Sequence, residues 1–205
     1  MIKFLKPKLT SGTLVSVLVI SIFMLFFAAS ISYKQIQTLT ESEKLVLHSY
    51  NVYVELKKLN LYAREAESSQ RGFLLTQDSR LLEPYNISLK KIDISFNKLR
   101  ILFSDNIEQE RNLDSLNLLI RQRFIYLGDV LSKYDLKNYD NLKDLIETGT
   151  LLMKLAQVQI DKMVDYELQL LNKRKTEHQN DIKISPFSIL FIVLFSLIVF
   201  VLSFF

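Results

Sequence analysis

The sequence predicts an all-α protein: an up-down-up-down four-helix bundle set between two transmembrane helices, with a two-helix, membrane-proximal stem joining them. Three observations carry this expectation. Two long charge-free runs, 9–33 and 184–205, stand near the ends of the chain. Between them, apolar residues recur at alternating steps of three and four, the pattern of helix faces packed in a coiled-coil-like bundle. The whole chain holds only four Gly and three Pro, too few for Gly-rich phosphate loops or a turn-rich β fold.

Residues 1–12 read as a basic cytoplasmic stub, because Lys3, Lys6 and Lys8 precede the first apolar run. Residues 13–33 read as the first transmembrane helix, since about 20 apolar residues cross a hydrocarbon core of about 30 Å. A cleavable signal peptide, cut near Ala28-Ala29-Ser30, is the competing reading, and the length of the run argues against it. Residues 34–183 are then the extracytoplasmic domain and residues 184–205 the second span, which makes a two-pass protein of the plasma (inner) membrane with the lipid bilayer as a partner. Lys173, Arg174, Lys175 and Lys183 lie on the outer flank, against the charge rule, but long translocated domains largely escape that rule.

Between Lys34 and Lys183 the chain has 23 basic and 22 acidic residues, and no basic stripe of the kind nucleic acid requires. With no cysteine there is no disulfide framework and no thiolate or cysteine-zinc site. His48 and His178, the only histidines, fall at different heights of the stem and read as surface or stem residues rather than metal ligands. No zinc-type HExxH, Walker loop or Ser/His/Asp arrangement is legible, so no catalytic residue, metal or cofactor is expected.

The first outer helix, 34–75, carries Leu45, Val52, Leu56, Leu59, Ala63, Ala66 and Phe73 on one face, with Ser49 and Gln70 as polar members. Thr76, Gln77 and Asp78 read as a turn, with Asp78 or Ser79 as the next N-cap. The second helix, 80–103, has Leu82, Tyr85, Leu89, Ile92, Phe96, Leu99 and Phe103 as its seam. Ser104-Asp105-Asn106 breaks it, and Asn106 with Gln109 suggests a capping box. The third helix shows Leu113, Leu116, Ile120, Phe124, Leu127 and Leu131. A turn near Asp135, a short helical piece over 142–146 and an interruption at Gly149 are expected next. The last helix, 151–181, bears Leu152, Ala156, Ile160, Met163, Leu170 and Leu171, and runs into the second span near Pro186. By helix rise the first helix climbs roughly 65 Å and the second returns only about 36 Å, which leaves 34–52 and 164–183 as the stem.

Residues 65–78, EAESSQRGFLLTQD, form the far hairpin tip and hold the candidate polar network or switch: Glu65, Glu67, Gln70 and Arg71, with Glu167 near a seam position of the last helix. Glu67 and Arg71 are four apart and able to pair on one face. One reading is a network that fixes bundle register, with Arg71 held by Glu67 or another acid. The other is a ligand or switching site in which Arg71 recognises an anion or a carboxylate.

These residues resemble the third family of CHASE domains, extracytoplasmic helical sensors of membrane receptors. Glu65, Ala66, Glu67, Ser68, Arg71, Gly72, Phe73, Leu74, Leu75 and Thr76 fit the family pattern at its first hairpin. Pro84-Tyr85, Asp105-Asn106 with Gln109, and Glu167 with Leu170, Leu171 and Arg174 match further on. The resemblance spans roughly residues 45–175. Ser69 and Gln77 stand where glycine is common, and Ile107 replaces a usual proline. It implies a homodimer responding to an extracytoplasmic stimulus and feeding a histidine-kinase, cyclase or chemoreceptor output, a module these residues do not contain. The expected function is therefore a sensory input module that passes a stimulus by helix shifts. The alternatives are a membrane-anchored interaction or scaffold bundle and, if the leader is cleaved, a soluble bundle.

Overall fold

A helix whose apolar side chains recur every three and four residues must bury one stripe, and here the stripes of four helices meet. The structure, a computed structural model, describes residues 11–104, 106–135 and 142–202. Its long helices are α1 (Ser11–Thr76), α2 (Leu82–Leu102), α3 (Ile107–Asp135) and α4 (Leu142–Leu202), with a 3-10 turn at Ser79–Leu81 and no strand among the described residues. The chain divides into two compact units, Leu47–Asn172 and Met1–Val46 with Lys173–Phe205.

In the larger unit α1 buries Ser49, Val52, Leu56, Leu59, Ala63, Ala66 and Gln70, an unbroken three-four stripe. All four helices supply one apolar cluster: Leu56 and Leu59 from α1, Phe96 and Leu99 from α2, Leu116 and Ile120 from α3, Ile160 and Met163 from α4. Each fully buried aliphatic side chain contributes about 1.5–3 kcal/mol. A smaller cluster of Ala66, Tyr85 and Leu127 continues toward the α1–α2 turn. Val52 and Val164, expected at the top of the stem, are core residues instead.

Several seam positions differ from expectation. Leu45 is exposed and Phe73 half-buried. On α2, Ser88 and Ser95 are buried while Leu82 and Leu89 are only partly so, because the two serine hydroxyls donate to carboxylates of α1. Ser95 reaches Glu55 at 2.7 Å and Ser88 reaches Glu65 at 3.3 Å. On α3 the stripe passes through Arg123 and Val130, and Phe124 and Leu131 lie partly buried beside it.

The helix ends explain the connections. Gln77 takes a left-handed φ of 57° and donates its N–H to Phe73 at 2.7 Å, which closes α1. The Asp78 carboxylate accepts from the Arg80 N–H at 3.0 Å, so the chain enters a 3-10 turn and α2 proper starts at Leu82, later than residue 80. Only half of the capping box at Asn106 forms. Its side chain accepts from the Gln109 N–H at 3.1 Å, but its own N–H goes to the Phe103 carbonyl at 2.8 Å. Gln109 Oε1 is accordingly left without a partner among the described residues. α4 runs unbroken through 142–146 and Gly149, where an interruption was expected, and past Pro186.

In the other unit, α1 and α4 are tied where Ser42 Oγ meets His178 Nδ1 at 2.7 Å and where Arg174 donates to the Leu45 carbonyl at 3.2 Å. Ser21, Leu25 and Ala28 of α1 line one cavity of about 320 Å³ with Ile192, Ser196 and Leu197 of α4. The stretch of α1 from Val19 onward contains a window of mean hydropathy 1.6, none of it buried, long and apolar enough to cross a membrane. Phe23 and Phe26 are each 73% exposed, as side chains facing lipid would be. The Lys-rich stub, Asp105, the turn expected after Asp135 and residues 203–205 lie outside the described residues.

Candidate functional site

Helix geometry sorts the candidate residues before any contact is considered. Each residue turns about 100°, so 67, 70, 71 and 74 share a face of α1, while Glu65 points roughly 200° away from Glu67. Glu65 accordingly meets Ser88 of α2. Glu67, Gln70 and Arg71 line a cavity of about 450 Å³ on the other side, shared with α3 and α4. From α3 come Arg123, Leu127 and Val130, and from α4 come Thr150, Met153 and Lys154. Glu167 is buried on α4 but is not in the cavity, and helix rise puts it about 20 Å along α4 from Lys154.

Glu67 does not pair with Arg71. Its Oε1 accepts from Arg123 Nε at 2.9 Å and Nη2 at 2.5 Å. Arg123 follows Leu113, Leu116 and Ile120 at the three-four spacing of α3, so it projects inward, whereas Arg71 lies on the exposed edge of α1. The Arg123 and Glu67 side chains are only 10% and 15% exposed, so each removes the desolvation penalty of the other. The guanidinium needs room on α4, and Gly149 supplies it. A Cβ there would stand 3.1 Å from Arg123 Cζ and closer still to Nη1. The glycine expected to break a helix is a seat for a cation.

Around this pair the other polar groups are partly committed. Gln70 donates to the Leu127 carbonyl at 3.0 Å inside the core, and Arg64 donates to Gln157 Oε1 at 3.2 Å. Arg71 and Lys154 are exposed and hold no ion pair among the described residues. Burial raises the pKa of the Tyr85 phenol, and the positive charge of Arg123 pulls it the other way. In the other unit His178 has Ser42 as its partner. No group of three His, Cys, Asp or Glu is placed to hold a metal among the described residues.

The structure thus brings together three of the five candidates and adds Arg123, Gly149 and Lys154, which sequence reasoning passed over. The available signal was positional. Stepping three and four from Ile120 reaches Arg123 and Leu127, and a charge on a seam marks a polar contact inside a bundle.

Among known proteins, the model of the CHASE3 domain family matches residues 42–177. The crystal structure of the sensor domain of histidine kinase HK9 from Rhodopseudomonas palustris is similar in fold, with a TM-score of 0.54 and 24% identity. That likeness covers 60% of this chain and 98% of that one. No curated protein sequence matches.

Proposed function

The chain belongs to the CHASE3 domain family, a family of sensory input modules, and from that premise we propose that it is the extracytoplasmic input module of a two-pass membrane receptor. The observation that carries the reading is the extent of the match. Residues 42–177 enclose the whole of the Leu47–Asn172 unit and stop short of both apolar runs. The outer unit is read as an up-down-up-down four-helix bundle, supported by a core to which α1, α2, α3 and α4 all contribute. Residues 13–33 and 184–205 are read as the two spans, supported by the cavity that Leu25 and Leu197 line in common. A second copy of the chain is the proposed partner, for which the exposed Ile87, Ile94 and Ile101 of α2 offer a seven-residue stripe.

The mechanism follows from continuity. α1 and α4 each pass as one unbroken helix from the outer unit into the apolar segments, so a displacement of one against the other is transmitted mechanically. Coupling of this kind is worth about 1–3 kcal/mol. The proposed output is of histidine-kinase, cyclase or chemoreceptor type. Because the chain contains no cysteine, single cysteines test the topology. A membrane-impermeant maleimide applied to whole cells should label Gln77→Cys and not Lys6→Cys. In a kinase chimera, Ser42→Val should alter the output by removing the tie to His178. Labelling of both positions, or of neither, would sink the topology, and an unaltered output would sink the helix-shift mechanism.

A further inference from the structure

We infer that the cavity between α1, α3 and α4 binds a small organic carboxylate. The inference names the stimulus class of the sensor proposed above and rests on that reading. Its basis is an imbalance of charge around a preformed space. Four cations, Arg64, Arg71, Arg123 and Lys154, border the cavity against one carboxylate, Glu67. Arg123 already pairs with Glu67 through Oε1, so the two charges neutralise each other inside the unit. The cations left over are Arg64, which holds only a neutral amide, and Arg71 and Lys154, which hold no ion pair among the described residues.

Three other arginines of the same unit meet acids. Arg80, Arg100 and Arg121 hold Asp78, Asp114 and Asp93. Uncompensated like charges gathered at one concavity repel and destabilise the folded state, and an incoming anion relieves that repulsion. The planar guanidinium of Arg71 matches a carboxylate by two parallel hydrogen bonds, and Lys154 adds a point charge from the facing helix. The walls exclude a bare inorganic anion as the best fit. Leu74, Leu127, Val130 and Met153 give the space an apolar body, and its volume of about 450 Å³ is within the range of small-molecule sites. Arg71 lies on α1 and Lys154 on α4, so one bound carboxylate bridges the two helices that continue into the apolar segments.

The test uses the full chain in lipid nanodiscs, titrated calorimetrically with butyrate, hexanoate and succinate and with the corresponding amides, against empty nanodiscs. Carboxylates should bind and amides should not. R71Q/K154Q should weaken carboxylate binding about tenfold or more while its circular dichroism stays that of wild type, since both side chains are exposed. Absence of carboxylate binding, equal binding of the amides, tighter binding of inorganic sulfate than of any carboxylate, or binding unchanged in the double variant would each overturn the inference. A chimera read in parallel separates the two levels. Carboxylate binding without a change of output supports the site and removes the sensor reading, whereas output to other stimuli with no carboxylate bound overturns the site alone.

Discussion

Replacing Gly149 by alanine should destabilise the Leu47–Asn172 unit, although the same change in an ordinary helix interior stabilises it by about 1 kcal/mol. The new Cβ would fall 3.1 Å from Arg123 Cζ and 3.6 Å from Tyr126 Cβ, and closer than either to Nη1. A free arginine would swing aside at little cost. This one is held by two bonds to Glu67 Oε1, and moving it leaves a carboxylate that is 15% exposed without its partner. Breaking such a pair costs about 3–5 kcal/mol, and the limited solvent access of Glu67 argues for the lower end. Subtracting the propensity gain leaves a net loss of about 2 kcal/mol. In a Glu67→Gln/Arg123→Met background the clash is with a flexible thioether, and Gly149→Ala should stabilise by up to about 1 kcal/mol. Urea unfolding of the full chain in nanodiscs, followed by far-UV circular dichroism, reads both arms. Arg71→Met serves as the control and should change stability by no more than about 0.5 kcal/mol, because its side chain is exposed and unpaired. A stabilising Gly149→Ala in the wild-type chain, or an Arg71→Met as damaging as Arg123→Met, would refute the reasoning.

Ser95→Ala should cost about 1–3 kcal/mol, because Glu55 is buried and Lys58 and Lys98 stand off at 3.6 and 4.0 Å, while Ser88→Ala should cost less than about 1 kcal/mol. Equal losses in the same unfolding assay would mean that burial of Glu55 does not govern the difference. Gln77→Gly should raise stability by about 1 kcal/mol, since φ is 57° and a β-carbon is strained there; a loss would show the turn is held by the Gln77 side chain. Burial lifts the Tyr85 phenol above its ordinary 10.0, so the folded state favours the neutral form. That stability is complete below pH 10 and is lost as pH rises through the folded value. Tyr85→Phe should flatten that alkaline loss and Arg123→Met should steepen it, and identical stability–pH curves for all three chains would exclude the assignment.

The stripe from Ser49 to Gln70 was legible because its pattern is local: each member lies three or four residues from the next, and burial follows that period. The α3 seam was misassigned where hydrophobicity and position disagree. Phe124 and Leu131 are the more apolar choices, but Arg123 and Val130 keep the spacing, and position decided. The same limit governs the charge pairs. The partner the sequence suggests for Glu67 is Arg71, four residues on, and such a pair in water is worth a few tenths of a kcal/mol. Arg123, 56 residues away, wins because it meets Glu67 where water is largely excluded and each charge needs the other. Gly149 follows the same logic, since its cost in helix propensity is local while the room it makes for the guanidinium is not. Once Arg123 has taken Glu67, Arg71 is left exposed and, with Lys154, lines a largely apolar space. The tertiary pairing that removed Arg71 from the core therefore left it available to a ligand.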